Sequence, residues 1–435
     1  MQFDPIAETT QVSREMSRRD FIRRTAAAVG TGCFAASGGL GWVDLMNLHA
    51  EDLRQRGMAC ILLWMQGGPS QFESFDPKPG HPNGGPTKAI ETAVPGLHIA
   101  EHWPQVASVM KEIALVRSMT NREGNHQRAT YQLHTGYVPS ASIKYPSLGS
   151  VVASQIGDPE SDLPSFVAVG SAGPRDVGGG FLGIRHDPFV IRNAAGKPDN
   201  VELRVKQERF ARRLGLLERL EQDFSEAGGR KLVADHTALY GRASRLSLSP
   251  HLDAFDLEKE SDTARTAYGD SDFGRGCLLA RRLVEAGVTF VEVKLGGWDT
   301  HANNFDRSET LSSQVDPAFA QLIRDLRARG MLEKTLLVWM GEFGRTPRIN
   351  PRSGRDHFPR VFSAALAGAG IKGGGVVGET SADGTQVADR PVAVPDFFCS
   401  VYHALGINPR EENTTPLGRP VKIVEEGKVV SELFT

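Results

Sequence analysis

The sequence feature that most constrains the fold is an apolar run that breaks abruptly into a charged loop. Residues 336–340 are continuously apolar, which is typical of a strand buried on both faces of a sheet. Open α/β sheets bind ligands beyond the carboxyl ends of their strands. The loop is therefore a candidate site, although a solvated charged loop is the alternative. After Gly341, its charged residues include Glu342, Arg345, Arg348, Arg355, Asp356 and His357.

Other predicted strand ends carry similar side chains. The apolar run 58–65 leads through a glycine turn to Glu73 and Asp76, and the alternating run 288–295 leads to Asp299 and His301. A helix around 318–329 would connect the latter strand to the run 336–340, forming a strand–helix–strand unit. Together these patterns predict an α/β fold with a mostly parallel central sheet.

A short helix is predicted between Asn125 and Gly136, which suit its N-terminal and C-terminal caps. His126 would then lie at the N-terminus of this helix, where anions are favoured. Residues 200–290 read as a helical block, because apolar residues recur there every three or four positions. We therefore predict one α/β domain over 51–435 with a helical insertion near 200–290.

The combination of carboxylates and imidazoles at these strand ends suits zinc, manganese or iron, and two groups of them could hold two metals. Arginine binds phosphate or sulfate bidentately, and Arg128, Arg345 and Arg355 are the candidates. The alternative is that Asp299 and Glu342 cap neighbouring helices while the histidines satisfy hydrogen bonds in the core. Four strand ends with the same chemistry favour one shared site.

Composition excludes several classes of function. The 435 residues contain 50 Lys and Arg against 52 Asp and Glu, so no overall charge points to nucleic acid or a membrane surface. No apolar run reaches the length of a membrane span.

Residues 17–23, SRRDFIR, precede an Ala- and Gly-rich stretch, which is typical of a twin-arginine export signal over residues 1–50. The alternative is a chance arginine pair in a basic tail.

Several motifs stand out along the chain: GGPSQFESFDPKPG, NHQRATYQLHTGY, GGWDTHANN, GEFGRTPRI with GRDHFP, and VPDFFCSVYHALGI. Together they resemble the exported, sulfatase-like proteins grouped as domain-of-unknown-function family 1501, within the alkaline phosphatase-like superfamily. The resemblance covers nearly all of the chain after the signal, and it implies a three-layer α/β/α sandwich. The enzymes of that superfamily are typically two-metal phosphatases, phosphodiesterases or mutases, or one-metal sulfatases.

The resemblance is incomplete at three positions. Gln66 stands where the superfamily usually has a metal-binding Asp, and His126 stands where sulfatases have a Ser, Thr or Cys nucleophile. The Asp-His pair after a strand looks like Glu342-Phe343, which keeps the carboxylate and loses the imidazole. His357 resembles the final metal-binding histidine. The resemblance thus supports a metal site more than a covalent phospho- or sulfo-enzyme.

The resemblance implies a periplasmic or otherwise extracytoplasmic metal-dependent hydrolase of phosphate or sulfate esters. Its substrate would be a small molecule or a polysaccharide ester, and the twin-arginine translocase would be its partner during export. The divalent metal would be zinc, calcium or manganese, and His126 would be a nucleophile, a general acid or a further ligand. The alternative is a catalytically silent binding protein of the cell envelope that keeps the fold. The metal ligands would come from Asp299, His301, Glu342, His357, Asp356, Glu73 and Asp76, and Arg345, Arg355 and Arg128 would bind the substrate.

Overall fold

The computed structural model describes Glu51 and residues 54–170, 177–199 and 201–434. The predicted twin-arginine signal, residues 1–50, lies outside the described residues. The described residues belong to one compact unit, His49–Thr435. Among its described helices, none is long and apolar enough to cross a membrane.

The strands of this unit are numbered in chain order, and the long ones Ala59–Met65, Thr335–Met340 and Phe362–Ala367 are buried along their whole length. They are β1 Ala59–Met65, β2 Ala89–Glu91, β3 His98–Ala100, β4 Ile113–Thr120, β5 Phe166–Val169, β6 Phe189–Ile191, β7 Phe290–Leu295, β8 Thr335–Met340, β9 Gly344–Arg345, β10 His357–Phe358, β11 Phe362–Ala367, β12 Val376–Val377, β13 Glu379–Thr380, β14 Val387–Asp389, β15 Val392–Ala393, β16 Glu412–Thr414 and β17 Pro420–Lys422.

The α-helices vary from short turns to one long helix against the sheet. They are α1 Pro104–Ser108, α2 His126–Thr135, α3 Leu148–Ile156, α4 Gln207–Phe224, α5 Arg230–Leu248, α6 Asp262–Ala267, α7 Asp272–Glu285, α8 Asn304–Ala328 and α9 Val394–Ala404. A π-helical turn, Ser225–Gly229, joins α4 to α5 and contains Gly228 at a φ of 109°.

Nine strands form the central sheet, in the order β12-β4-β11-β8-β1-β7-β5-β6, with β15 beside β4. Within the part of the sheet ordered β8-β1-β7-β5-β6, each pair of neighbouring strands is parallel. β11 is the exception, because it runs antiparallel to both β4 and β8. The parallel strands place their carboxyl ends at one edge of the sheet, where the candidate site was predicted.

Each face of the sheet carries its own hydrophobic core. One core is formed with α1, α7 and α8, and it contains the aromatic residues Trp103, Phe273 and Phe319. The other is formed with α2, α3 and α9, and it contains Leu133, Val152 and Phe398. These two helical layers around one mostly parallel sheet confirm the predicted three-layer α/β/α sandwich.

Two helices show where sequence patterns succeed and where they fail. The predicted caps of α2 are confirmed, since the Asn125 side chain accepts from the backbone N–H groups of Gln127 and Arg128, and Gly136 is left-handed at a φ of 77°. The helix expected over 318–329 begins much earlier, at Asn304. Its first turns carry mostly polar residues, so apolar periodicity could not reveal them.

Candidate metal centre

His126 is the first residue of α2, and its imidazole lies over the carboxyl edge of the sheet. Its Nδ1 lies 2.7 Å from Oε1 of Glu342. Glu342 is fully buried and follows β8 after Gly341. Because a carboxylate oxygen accepts this bond, Nδ1 of His126 carries the proton and its Nε2 keeps a lone pair.

Two further imidazoles are fixed in the same way. Nδ1 of His301 lies 2.7 Å from Oδ1 of Asp356, and Nδ1 of His357 lies 2.8 Å from the carbonyl oxygen of Gly124. Each of these partners is an acceptor, so each Nδ1 donates. The tautomers assigned from these hydrogen bonds therefore leave a lone pair on Nε2 of both rings.

The three Nε2 atoms converge on one oxygen, Oδ1 of Asp299. The distances to this oxygen are 3.3 Å from His126, 3.2 Å from His301 and 3.4 Å from His357. Nε2 of His301 and Nε2 of His357 are 2.9 Å apart. Four electron-pair donors thus face a common point, and the ligand atoms of His126, Asp299 and His357 lie within 4.8 Å of one another.

At these distances the lone pairs of neutral imidazoles repel one another and the carboxylate unless a cation or protons lie between them. A transition-metal ion would satisfy the ligand atoms of His126, Asp299 and His357 together. The Nδ1 hydrogen bonds also match the second shell that orients metal-binding histidines. The residues therefore fit a metal ion, with His126, Asp299 and His357 as the ligand set and His301 beside them as the candidate for a fourth ligand. We refer to these four residues as the histidine–aspartate cluster.

Arg345 holds Asp299 in position. Its Nη2 donates to Oδ1 of Asp299 at 2.7 Å and also to the carbonyl oxygen of Gly67. Burial by itself would raise the pKa of Asp299, but the hydrogen bond and charge of Arg345, with the nearby His126 and His301, lower it to about 2. Asp299 is therefore a carboxylate at neutral pH, as a metal ligand must be.

The pKa values of His357, in the cluster, and Asp356, beside it, are both lowered. Burial lowers the pKa of His357, in spite of its hydrogen bond to Gly124. The hydrogen bond from His301 lowers the pKa of Asp356. A neutral imidazole and an ionised carboxylate are the forms that take part in metal binding.

Phe343 packs beneath the cluster. Its side chain is buried, and its ring centroid lies 4.9 Å from that of His126 and 4.7 Å from that of His357. The resemblance places a histidine at this position in related enzymes. Here the position supplies an apolar support for two imidazoles, so the residue after Glu342 adds no imidazole to the site.

Glu73 and Arg355 are paired with each other, away from the cluster. Both side chains are almost fully buried, and Nε and Nη2 of Arg355 donate to the two carboxylate oxygens of Glu73 at 3.1 and 2.9 Å. Asn304 donates to the same carboxylate at 2.8 Å. This arrangement uses the oxygens that a metal would need and the donors that an anion would need.

Three other predicted site residues also have their polar groups occupied by partners within the protein. Asp76 is buried and accepts from Lys78 at 2.9 Å and from the hydroxyl of Thr380. Arg128 is half exposed and pairs with Glu123 through two hydrogen bonds of 2.8 and 2.6 Å. Arg345 directs its remaining donors to the carbonyl oxygens of Gly68 and Arg355. None of these residues adds a ligand atom to the histidine–aspartate cluster.

Sequence reasoning missed Gly67, whose backbone forms hydrogen bonds with Glu342 and Arg345 and lies against the backbone of Asp299. Its N–H donates to both oxygens of Glu342 at 2.9 and 3.1 Å, and its carbonyl accepts from Arg345. Its φ is +117°, and a Cβ at this position would lie 2.4 Å from the backbone nitrogen of Asp299. The Gly67-Gly68 pair after a strand was the available signal, since such pairs mark close backbone approach.

Replacing Gly67 with alanine is expected to lower the free energy of unfolding by about 2–5 kcal/mol, from backbone strain and overpacking. The same change should reduce the amount of bound metal, because the Asp299 loop must move. Urea unfolding and metal analysis of the purified variant measure the two effects. The matched control is Gly80→Ala, since Gly80 has a similar φ of +78° but nothing within 4 Å of a Cβ. Equal losses in both variants would contradict the steric explanation.

Replacing Asp356 with alanine is expected to weaken divalent-metal binding by about 10–100-fold, the usual cost of removing a carboxylate that orients a histidine ligand. The side chain is half exposed, so the stability of the metal-free protein should change by less than about 1 kcal/mol. Titration calorimetry with Zn²⁺ measures the affinity, and Glu309→Ala serves as an exposed acidic control. An unchanged affinity would exclude His301 from the ligand set.

A family model matches the part of the chain that carries the motifs. A family model described as a protein of unknown function, DUF1501, matches residues 58–434. A comparison with curated proteins gave no match. The PsFucS1 sulfatase from Pseudoalteromonas sp. is similar in structure, with a TM-score of 0.37 and 11% identity over 83% of this chain and 72% of that chain. The phosphonate monoester hydrolase of Agrobacterium radiobacter has a TM-score of 0.33 and 9% identity over 86% and 77%.

Proposed function

Since the chain belongs to the DUF1501 family, whose function is unknown, we propose its activity from the site alone: it is a metal-dependent hydrolase of phosphate or sulfate esters. The observation that carries this proposal is the convergence of three imidazole Nε2 atoms on Oδ1 of Asp299. Structural zinc sites have four protein ligands, whereas catalytic sites have three and keep one position open for water or substrate. The ligand atoms of three residues, His126, Asp299 and His357, lie within 4.8 Å of one another, which leaves a position for substrate or for His301. Here the side chains of Asp299 and His301 are 46% and 35% exposed, which supports an accessible ion.

The ligand set favours a transition metal. Three nitrogens and one carboxylate oxygen suit zinc, and also manganese or iron, whereas calcium takes six to eight oxygen ligands. Among the proposed ions, zinc or manganese therefore fits this cluster better than calcium. Glu342 and Asp356 orient His126 and His301 through their Nδ1 atoms, so we assign them to positioning and not to ligation.

A divalent cation held there supplies Lewis acidity, which polarises an ester oxygen and makes water a stronger nucleophile. The chain's own residues hold the reaction site in place: Arg345 fixes Asp299, and Phe343 supports two of the rings. His126 directs its Nε2 to the ion position, so we assign it as a ligand and not as the nucleophile. The substrate would be a small-molecule or polysaccharide ester.

A catalytically silent, metal-holding binding protein is the second candidate. One observation favours it: Arg345 and Arg355, the residues expected to bind the anion, are fully buried. Their guanidinium groups donate to Asp299, Glu73 and backbone carbonyls. An ester substrate would therefore have to be bound through the cation and other groups at the edge of the sheet.

Metal analysis and turnover assays separate the two candidates. Protein purified without chelator should contain about one transition-metal ion per chain, as a single cluster requires. It should then hydrolyse an aryl sulfate, a phosphomonoester or a phosphodiester, with activity lost to a chelator and restored by the metal. Bound metal without turnover on all three substrates would favour the binding protein. A folded, metal-free and inert protein would reject both.

We also propose that the chain acts outside the cytoplasm after export by the twin-arginine pathway. The support is the SRRDFIR motif at residues 17–23 and the small-residue stretch that follows it. The domain division into residues 1–50 and 51–435, with an insertion near 200–290, remains a prediction that accompanies this proposal.

A further inference from the structure

Helix α4 presents an apolar surface that the rest of the described chain does not cover. All of its residues, Gln207–Phe224, are described, and none of them is buried. Leu216 and Leu220 are 54% and 63% exposed, although they lie one turn apart on the same face. Single exposed apolar side chains are normal on a protein surface, whereas contiguous ones are typical of interaction sites.

The exposed leucines belong to a regular stripe. Arg209, Arg213, Leu216, Leu220 and Asp223 are all exposed and are spaced by four, three, four and three residues, which is the heptad spacing of a helix–helix seam. The adjacent stripe of α4 faces α5, where Glu221 contacts His236 and Thr237. The seam defined by the first five residues is thus separate from the contact that holds α4 to α5.

The charges of the seam change sign along the helix. Its amino-terminal end carries Arg209 and Arg213, its centre carries the two leucines, and its carboxyl-terminal end carries Asp223. Within the described residues, neither Arg213 nor Asp223 forms an ion pair with another part of the chain. A parallel copy of this seam would place like charges together, whereas an antiparallel copy places opposite charges together.

We propose that the seam on α4 pairs with the same seam of a second copy of the chain, antiparallel about a twofold axis. The axis passes between Leu216 and Leu220. Leu216 then packs on Leu220 of the partner subunit, and Arg213 pairs with Asp223 of the partner subunit. This contact is self-complementary, as a twofold interface requires, and the antiparallel arrangement also opposes the two helix dipoles favourably.

Sedimentation velocity on the full chain tests the pairing. Concentrations from about 1 to 100 μM cover the range of weak self-association. We expect a concentration-dependent dimer. Leu216→Glu should weaken it at least tenfold, and Arg213→Asp should weaken it because two aspartates then face each other. The double variant Arg213→Asp with Asp223→Arg should restore the dimer, since the charges are exchanged but remain opposite. Glu218→Arg, on the far side of α4, is the matched control and should have no effect.

Cysteine cross-linking tests the register. A mixture of Leu216→Cys chains and Leu220→Cys chains should form disulfide-linked dimers faster than either variant alone, because the antiparallel pairing places these positions opposite each other. Faster linking of each variant to itself would indicate a parallel contact and would overturn the proposal. Cys60, Cys277 and Cys399 are buried, so they compete little in this experiment. Cys33 is replaced by serine in every chain, so that it cannot form the cross-link.

Three outcomes would overturn the dimer. The first is a monomer at every concentration, and the second is a dimer that Leu216→Glu and Arg213→Asp leave unchanged. The third is a monomer that floats with phospholipid vesicles and loses this binding in the Leu216→Glu variant, which would make the face a membrane contact. Circular dichroism of each variant confirms that helix content is retained, as expected for exposed positions.

Discussion

Replacing Asp299 with alanine is expected to raise the dissociation constant for Zn²⁺ by about 100-fold or more, since it removes a ligand and not merely a group that orients one. The oxygen that is lost is the one on which three imidazole nitrogens converge, within 3.2 to 3.4 Å. Any hydrolytic activity that depends on the cluster should fall with the bound metal. This is the largest functional effect that we predict for a single substitution.

The same variant should remain folded. The carboxylate that Arg345 loses is 46% exposed, so water can take its place beside the guanidinium, and Nη2 keeps the carbonyl oxygen of Gly67 as an acceptor. Titration calorimetry with Zn²⁺ compares Asp299→Ala with the exposed control Asp270→Ala, and thermal unfolding of both metal-free proteins checks the fold. Wild-type affinity in a folded Asp299→Ala protein would show that the histidine–aspartate cluster is not the binding site.

Replacing Glu73 with alanine is expected to lower the free energy of unfolding by about 3–5 kcal/mol, the cost of leaving a buried charge without its partner. The charge is that of Arg355, whose Nε and Nη2 both donate to Glu73. Arg355 would keep the carbonyl oxygens of Thr346, Pro347 and Asn83 as acceptors. These are neutral groups, so they do not replace the lost carboxylate.

Urea unfolding measures this effect, and the double variant Glu73→Leu with Arg355→Met provides the matched comparison. Removing both charges should cost less than removing one, because no uncompensated charge is then buried. Metal affinity of the folded Glu73→Ala protein should stay within a few-fold of wild type. The reverse pattern, with metal lost and stability kept, would return Glu73 to the ligand set.

The sequence predicted the fold well because the decisive signals are local. An apolar run followed by a glycine turn marks a buried strand and its carboxyl end, and both β1 and β8 follow this pattern. The caps of α2 are read from Asn125 and Gly136 alone. The direction of β11 could not be predicted, because its apolar residues suit a parallel or an antiparallel neighbour equally.

The site was predicted less completely, because its pairings join distant parts of the chain. Asp299, His301 and His357 were recognised from their positions after strands. The partner of Arg355, however, is 282 residues away in sequence, and the partner of Gly67 is 275 residues away. Local patterns identify a charged side chain near a strand end, but they do not tell whether it faces a ligand or another buried charge.

Because its ligands come from three separate parts of the chain, the cluster also constrains when a cation can be acquired. His126 begins α2, Asp299 follows β7, and His357 lies in β10, after β8. These segments meet only when β7 and β8 have taken their places on either side of β1. A nascent chain therefore has no cluster, and the proposed cation would bind only after the central sheet has assembled. If the chain is exported after it has folded, its ion would come from the compartment in which it folds. The metals available in the compartment where the protein works would then not decide which ion it carries.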